Sequence, residues 1–399
     1  MKINKPYLFI ELNDKKFIFL IVEYNEDLDF KILDATEVFA EGILNGKIIN
    51  INIVSNIIKK NLILIEKKIG FIFNEATIIS DQNNFECLNI SGYKRLSGSQ
   101  ILKEDISYII NNIKKSILEN KTYKNLIHLF NSDFFLDGQK LKNIPIGLYG
   151  DFYNQHLTFF LLSRNDTKNI KLTLNKCDIN IERIILKPFA HAIDIINKNK
   201  INENFFVVNI KKNRSSISHI NNKSFIYHED FSFGSDIIIR DIEKLISLNF
   251  DSINKILSEI KLDVIDSSQK EYLNKKYFSD TVFRKVSIKH LNEIINARLD
   301  EMIDLIFKNN VNLGYKQNSS SLIYTIFEDQ NIMRALKARF FQYLPGNRIL
   351  FNASEAQDEH LSACIGSAEL IGRGWEKEAL PVIQTKKSTI SRIFSTFFD

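Results

Sequence analysis

Few residues in this chain are spaced for covalent chemistry. Its three cysteines, Cys87, Cys177 and Cys364, stand far apart with no Cys-x-x-Cys or Cys/His spacing. That argues against a structural zinc and a disulfide framework, and it suits a reducing, cytoplasmic compartment. The histidines are scattered, so His156, His191 and His228 are expected at core edges or on the surface, and no Ser/His/Asp or Cys/His grouping supports nucleophilic catalysis. The chemistry that the spacing does support is binding. Wound as a helix, the segment from Lys386 to Phe398 puts Ile390, Ile393, Phe394, Phe397 and Phe398 on one stripe. Lys386, Lys387 and Arg392 accompany Ser and Thr around it. This is the pattern of a helix lying in a membrane interface, its basic residues drawn by anionic lipid; the alternative is a last helix docked on the body of the protein. Five half-buried apolar side chains at about 1 kcal/mol each give roughly 5 kcal/mol, a millimolar to sub-millimolar affinity. Such an anchor holds firmly only when several subunits act together.

A chain of 399 residues, 44% apolar and 25% charged, can bury a large core and suggests two or more domains. The net charge of +5 is small for this length, and no basic cluster interleaved with aromatics marks a nucleic-acid surface. Charges cut every apolar run before the ~18 residues of a spanning helix, and Met1-Lys2-Ile3-Asn4-Lys5-Pro6 leads straight into strand-like sequence. Neither a signal peptide nor a transmembrane helix is expected, so membrane contact would be peripheral.

The elements that must position any site follow from periodicity. Tyr7 to Glu11 and Phe17 to Glu23 read as a hairpin, with a third strand from Phe30 to Phe39, a helix from Val54 to Lys68 and a strand from Phe71 to Ser80. A strand from Phe85 ends at Gly92. An amphipathic helix from Lys103 to Leu118, a strand from Leu126 to Leu136 and a glycine-rich connection from Ile144 to Gly150 come next. Alternating elements then run from Gln155 to Asn197. A second meander, Phe205 to Ile210, Ser215 to Ile220 and Ser224 to Asp230, echoes the first. Helices over 235–250 and 285–308 flank an irregular, lysine-rich stretch, 251–283. A strand from Leu322 to Phe327, a helix over 331–341, a strand from Arg348 to Phe351, a helix from Leu361 to Ile371 and a linker from Gly372 to Lys386 complete the chain. The pattern is α/β and internally duplicated, with a small insert near 84–165.

Four segments in this order resemble the FtsA family of bacterial cell-division proteins, within the actin/Hsp70 ATPase superfamily. They are Ile90-Ser91-Gly92 before the helix Ile106–Ile113; Leu129 to Asp137 with Lys142 to Gly150 and Gln155-His156-Leu157; Ile294 to Glu301; and Leu361 to Gly366. The resemblance covers nearly the whole chain. It implies an actin-like duplicated ATPase fold with a small α+β insert of the SHS2 type in place of the usual actin small subdomain, plus a C-terminal amphipathic helix. It assigns an outer frame to 1–83 and 166–202, the insert to 84–165, an inner frame to 203–245 and 306–371, and a small partner-binding lobe to 246–305. A linker at 372–385 and a membrane-targeting helix at 386–399 follow. The function it implies is an adaptor that tethers tubulin-like FtsZ filaments to the cytoplasmic face of the cell membrane and helps assemble the septal ring. Its implied partners are the FtsZ C-terminal tail, further copies of itself, other division proteins and the membrane surface, with no nucleic acid. Arg298 falls in the helix resembling the family's partner-binding one, with Arg284 and Lys285 one segment upstream; arginine forks suit an acidic, apolar tail.

The family's ligand is ATP with Mg²⁺, held by two glycine hairpins, carboxylates and an adenosine loop. Here the sequence departs. At the first hairpin Glu11 and Lys16 match, but Asn13 replaces the glycine and Asp14 the hydroxyl. At the second, Asn209-Ile210-Lys211-Lys212-Asn213-Arg214 leaves neither the carboxylates nor the glycines. Thr325-Ile326-Phe327 stands near the adenosine loop, and Asp241, at a family aspartate position, is expected to cap or pair rather than catalyse. The expectation is a non-enzymatic chain with impaired ATP binding and no resident metal. Two rivals remain: an actin-like assembly protein of a pilus or other membrane machine, and an ATP-dependent polymerising or chaperone-type ATPase, which needs the missing glycines and carboxylates.

Overall fold

Unbroken apolar runs set the first sheet. In the computed structural model, β1 (Pro6–Leu12), β2 (Lys16–Tyr24) and β3 (Phe30–Phe39) form an antiparallel meander. Two strands, β6 (Glu75–Ser80) and β11 (Asn180–Leu186), add in parallel on the free side of β1, giving the order β11-β6-β1-β2-β3. Between β3 and β6 in the chain lie the small hairpin β4 (Ile43–Leu44) and β5 (Lys47–Ile48), and helix α1 (Ile51–Ile69). Consecutive residues Leu8, Phe9 and Ile10 are all buried, so both faces of the sheet are covered. Helix α1 packs with α3 (Arg164–Asn175), and α4 (Lys187–Asn199) packs with α8 (Ser362–Arg373). The last pair meets closely because Gly366 has no side chain: a Cβ there would strike the Ala190 carbonyl.

The described residues are 5–201, 203–260, 271–278, 282–313, 321–327, 332, 337, 339–342, 344, 346–351 and 359–381. They divide between two units, one comprising Met1–Asn202, Ile220–Tyr227 and Glu355–Asp399, the other Glu203–His219 and His228–Ser354. A second sheet, whose residues 220–227 count with the first unit, repeats the first plan. Its strands β12 (Phe205–Ile210), β13 (Ser215–Asn221), β14 (Ser224–Phe231), β15 (Leu322–Phe327) and β16 (Arg348–Phe351) take the order β14-β13-β12-β15-β16, with β15 parallel to both neighbours. In each sheet the first strand of a meander is flanked by the second strand on one side and a later parallel strand on the other. That duplicated α/β plan is the actin-like ATPase fold.

A further sheet of the first unit contains β7 (Glu86–Arg95), β8 (Lys124–Leu136) and β10 (Phe152–Ser163), with β9 (Gln139–Leu141) hairpinned on β8. Helix α2 (Lys103–Asn120) lays Ile106, Ile109 and Ile110 into its core. Strand β7 does not stop at Gly92, as expected, but runs through it. The glycine is there because a Cβ would collide with Ile109 of α2.

The expected linker at 372–385 is corrected as well. Gly372 belongs to α8, and Glu378–Pro381 is an edge strand, β17, on β8. Glu378 is fully buried and takes the Arg183 guanidinium and the Nδ1 of His128, the latter at 2.6 Å. The Leu186 N–H donates to His128 Nε2 at 3.1 Å, so the ring proton lies on Nδ1 and points at Glu378. Burial pushes the Glu378 carboxyl upward, but the charge of Arg183 and the His128 hydrogen bond outweigh it and hold the carboxyl below its ordinary value. Burial pulls His128 down. Nearby, the Trp375 indole donates to the Lys223 carbonyl at 2.6 Å.

In the second unit the helix expected over 235–250 is two, α5 (Asp236–Ile246) and α6 (Phe250–Glu259), because Ser247 turns left-handed at φ 57°. The stretch expected to be irregular therefore opens with a helix. Helix α7 (Ile288–Ile303) ends in a π turn, Asp304–Lys308. The helix expected over 331–341 lies only partly within the described residues. No described helix is long and apolar enough to cross a membrane.

Candidate functional site

The carboxyl ends of β1, β6 and β11 are in register, Leu12 and Leu186 both pairing with Ser80. Acidic and basic side chains therefore collect at one edge. Glu11 is fully buried; Lys187, the first residue of α4, places Nζ 2.6 Å from Glu11 Oε1 and 3.8 Å from Asp81 Oδ2. Asn13 Nδ2 donates to the same Glu11 oxygen at 2.8 Å, while Asn13 Oδ1 accepts the backbone N–H groups of Lys15 (3.0 Å) and Lys16 (2.8 Å). The side chain thus closes the turn that a glycine would leave as bare backbone. Asp14 accepts the Gly46 N–H at 2.7 Å, and Lys16 pairs with Glu37.

The second hairpin is closed in another way. The Lys211 N–H donates to the Arg214 carbonyl at 2.9 Å. The carbonyls of Lys211 and Lys212 accept the N–H groups of Ser235 (3.0 Å) and Asp236 (2.8 Å) at the start of α5. A helix N-terminus attracts phosphate through such free N–H groups; these two are used. Gly234 is pressed against the hairpin, where a Cβ would strike the Lys211 and Lys212 carbonyls. Lys212 and Asn213 are exposed, and Asn209 pairs in register with Ile326. Thr325, Ile326 and Phe327 are the carboxyl half of β15 rather than a loop. Thr325 Oγ1 donates to the Leu350 carbonyl at 3.1 Å, and the Phe327 ring packs with Phe340 and Phe351. Asp241 pairs with Arg298. ATP with Mg²⁺, the ligand the resemblance implies, needs open backbone and carboxylates free to order the ion; the side chains and backbone groups described here do not fit it. Among the described residues no cluster of three or more His, Cys, Asp or Glu could hold a metal ion.

No family model matches the chain. The cell division protein FtsA of Buchnera aphidicola subsp. Acyrthosiphon pisum (strain APS) is 20% identical over 328 residues, 82% of this chain and 78% of its own length. That of B. aphidicola subsp. Schizaphis graminum (strain Sg) is 22% identical over 311 residues, 76% of this chain and 73% of its own. Over most of its length the chain is similar to the cell division protein FtsA. The solved PilM-PilN type IV pilus biogenesis complex matches 92% of the chain and 99% of its own with a TM-score of 0.58 at 10% identity, a likeness of fold alone.

The remaining positions that FtsA resemblance singles out fall in the helices of the second unit and in the tail. The fork of Arg298 is not open: it binds Asp241 on α5 and Glu301 on its own helix, and Asp241 raises its pKa. Arg284 is exposed and, among the described residues, reaches the Ser247 hydroxyl at 3.4 Å, and the Lys285 ammonium lies 4.3 Å from the centre of the Tyr272 ring. Lys386, Lys387, Ile390, Arg392, Ile393, Phe394, Phe397 and Phe398 lie outside the described residues. Sequence reasoning missed Lys187 and Asp81. Their one visible signal is position, each directly following the end of a parallel strand.

Proposed function

We propose that this FtsA-like chain is a cell-division adaptor that tethers FtsZ filaments to the cytoplasmic face of the membrane and does not turn over ATP. The observation that carries the reading is likeness to FtsA over about four fifths of the chain, in an actin-like fold. The tail stripe at 386–399 would supply the membrane contact. The helices around α5 to α7 would take the acidic, apolar FtsZ tail, with Arg284 and Lys285 the more accessible cations. The sheet of β7, β8 and β10 with α2 would serve pairing with further copies and with other division proteins. Support for a nucleotide-independent role comes from the first hairpin, where Asn13, Asp14 and Lys16 have protein partners, and from the backbone bonds that close the second.

The test is co-sedimentation of the full-length protein and FtsZ with vesicles containing anionic lipid. FtsZ should pellet only with the adaptor present, without nucleotide bound to the adaptor. Phe394→Glu should release both proteins, and Arg284→Glu with Lys285→Glu should release FtsZ alone. Failure of the unaltered protein to carry FtsZ to vesicles would overturn the reading. A second reading, an assembly protein of a pilus-type membrane machine, is compatible with the shared fold of the PilM-PilN complex. It predicts vesicle binding with no FtsZ in the pellet.

A further inference from the structure

We propose that Lys187 is a built-in counter-ion, doing covalently at the carboxyl edge of the first sheet what a bound divalent cation does for clustered carboxylates. The inference rests on the reading that the chain works without magnesium nucleotide, and it explains how that edge remains stable.

Glu11 and Asp81 are 0% and 8% exposed, and one ammonium reaches both. Two carboxylates buried at one edge repel each other and require a cation. The other oxygen of Glu11, Oε2, is buried with no hydrogen-bond partner among the described residues, and the cation that reaches this carboxylate is Lys187. Glu37 stands in the same row, since Glu11 pairs with Ile18 and Ile18 with Glu37, and it too has basic partners from the chain, Lys16 and His360. The location of Lys187 points the same way. As the first residue of α4 its positive charge opposes the helix dipole, an unfavourable place unless something else holds it. The carboxylates do. A divalent cation at this edge would have to displace the ammonium or sit beside it, against like charge.

The experiment follows thermal unfolding of the full-length protein while MgCl₂ or ethylammonium chloride is titrated at constant ionic strength. The unaltered protein should show no shift with either. Lys187→Ala should melt several degrees lower and regain part of the loss with millimolar Mg²⁺ or ethylammonium, but not with choline. The double variant Glu11→Gln, Lys187→Met removes the closer pair of charges and leaves Asp81; it should melt above Lys187→Ala and respond less to either cation. An unchanged melting temperature in Lys187→Ala, no recovery with either cation, or a double variant falling as far as the single one would each overturn the proposal. If Lys187→Ala does not fold, the double variant decides. A parallel ATP titration separates the two ideas. Magnesium-dependent ATP binding by the unaltered protein removes the nucleotide-independent reading, whereas cation indifference of Lys187→Ala without ATP binding removes the counter-ion alone.

Discussion

The sheets built around β1 and β12 share one strand order but close their carboxyl edges with different chemistry. The first uses charge: Glu11, Asp81 and Lys187 meet across the ends of three parallel strands, and Arg183 on β11 pairs with Glu378. The second uses backbone and aromatic packing: loop carbonyls take the first N–H groups of α5, and Phe327 stacks among Phe340 and Phe351. Strand order follows from apolar patterning that many sequences satisfy. Edge chemistry depends on a few side chains, and can change while the sheet behind it stays the same.

The contrast breaks first at Glu378. Glu378→Ala leaves the Arg183 charge buried without its carboxylate, and about 3–5 kcal/mol of stability should be lost in chemical denaturation. An equally stable variant would mean that charge does not hold the first unit. In the second sheet Phe327→Ala should cost about 3 kcal/mol by leaving a cavity among aromatic rings, independently of salt.

Acid should separate the units next. Both Glu378 and His128 have folded-state pKa values below their ordinary ones, 4.5 and 6.5, so the unfolded chain binds more protons and stability falls as pH drops. The His128 contribution is complete above about pH 6.5 and is lost below it; that of Glu378 is lost below about pH 4.5. Hydrogen exchange followed from pH 7 to pH 4 should show protection falling sooner in β8 and β11 than in β12 and β15. The smallest effect is expected at the first hairpin. Asn13→Gly restores the family's glycine but removes the bond to Glu11 and the closed turn, at a cost of about 1 kcal/mol. It should not create ATP binding, because Lys187 still occupies Glu11.

What was legible in the sequence divides along the same line. β15 and β16 were read to their end residues, because short β-branched and aromatic runs bounded by polar sequence are local signals. The duplication was legible for the same reason. β7 was cut short at Gly92 because a glycine reads as a turn, whereas here it makes room for a side chain of another element. β17 read as linker because Gly374 and Pro381 bracket it, and nothing local says that Glu378 is buried against Arg183, 195 positions away. Lys187 was missed likewise. Next to Pro188 it reads as an ordinary helix start, and its partner Glu11 lies 176 positions earlier. Sequence spacing identified which residues stand at the family's loops; only the fold shows with what they are paired.

Whether this actin-like fold does without ATP is tested most directly by a calorimetric titration of the full-length protein with ATP and Mg²⁺. No saturable binding at micromolar nucleotide is the predicted result. Saturable, magnesium-dependent binding in that range would contradict it.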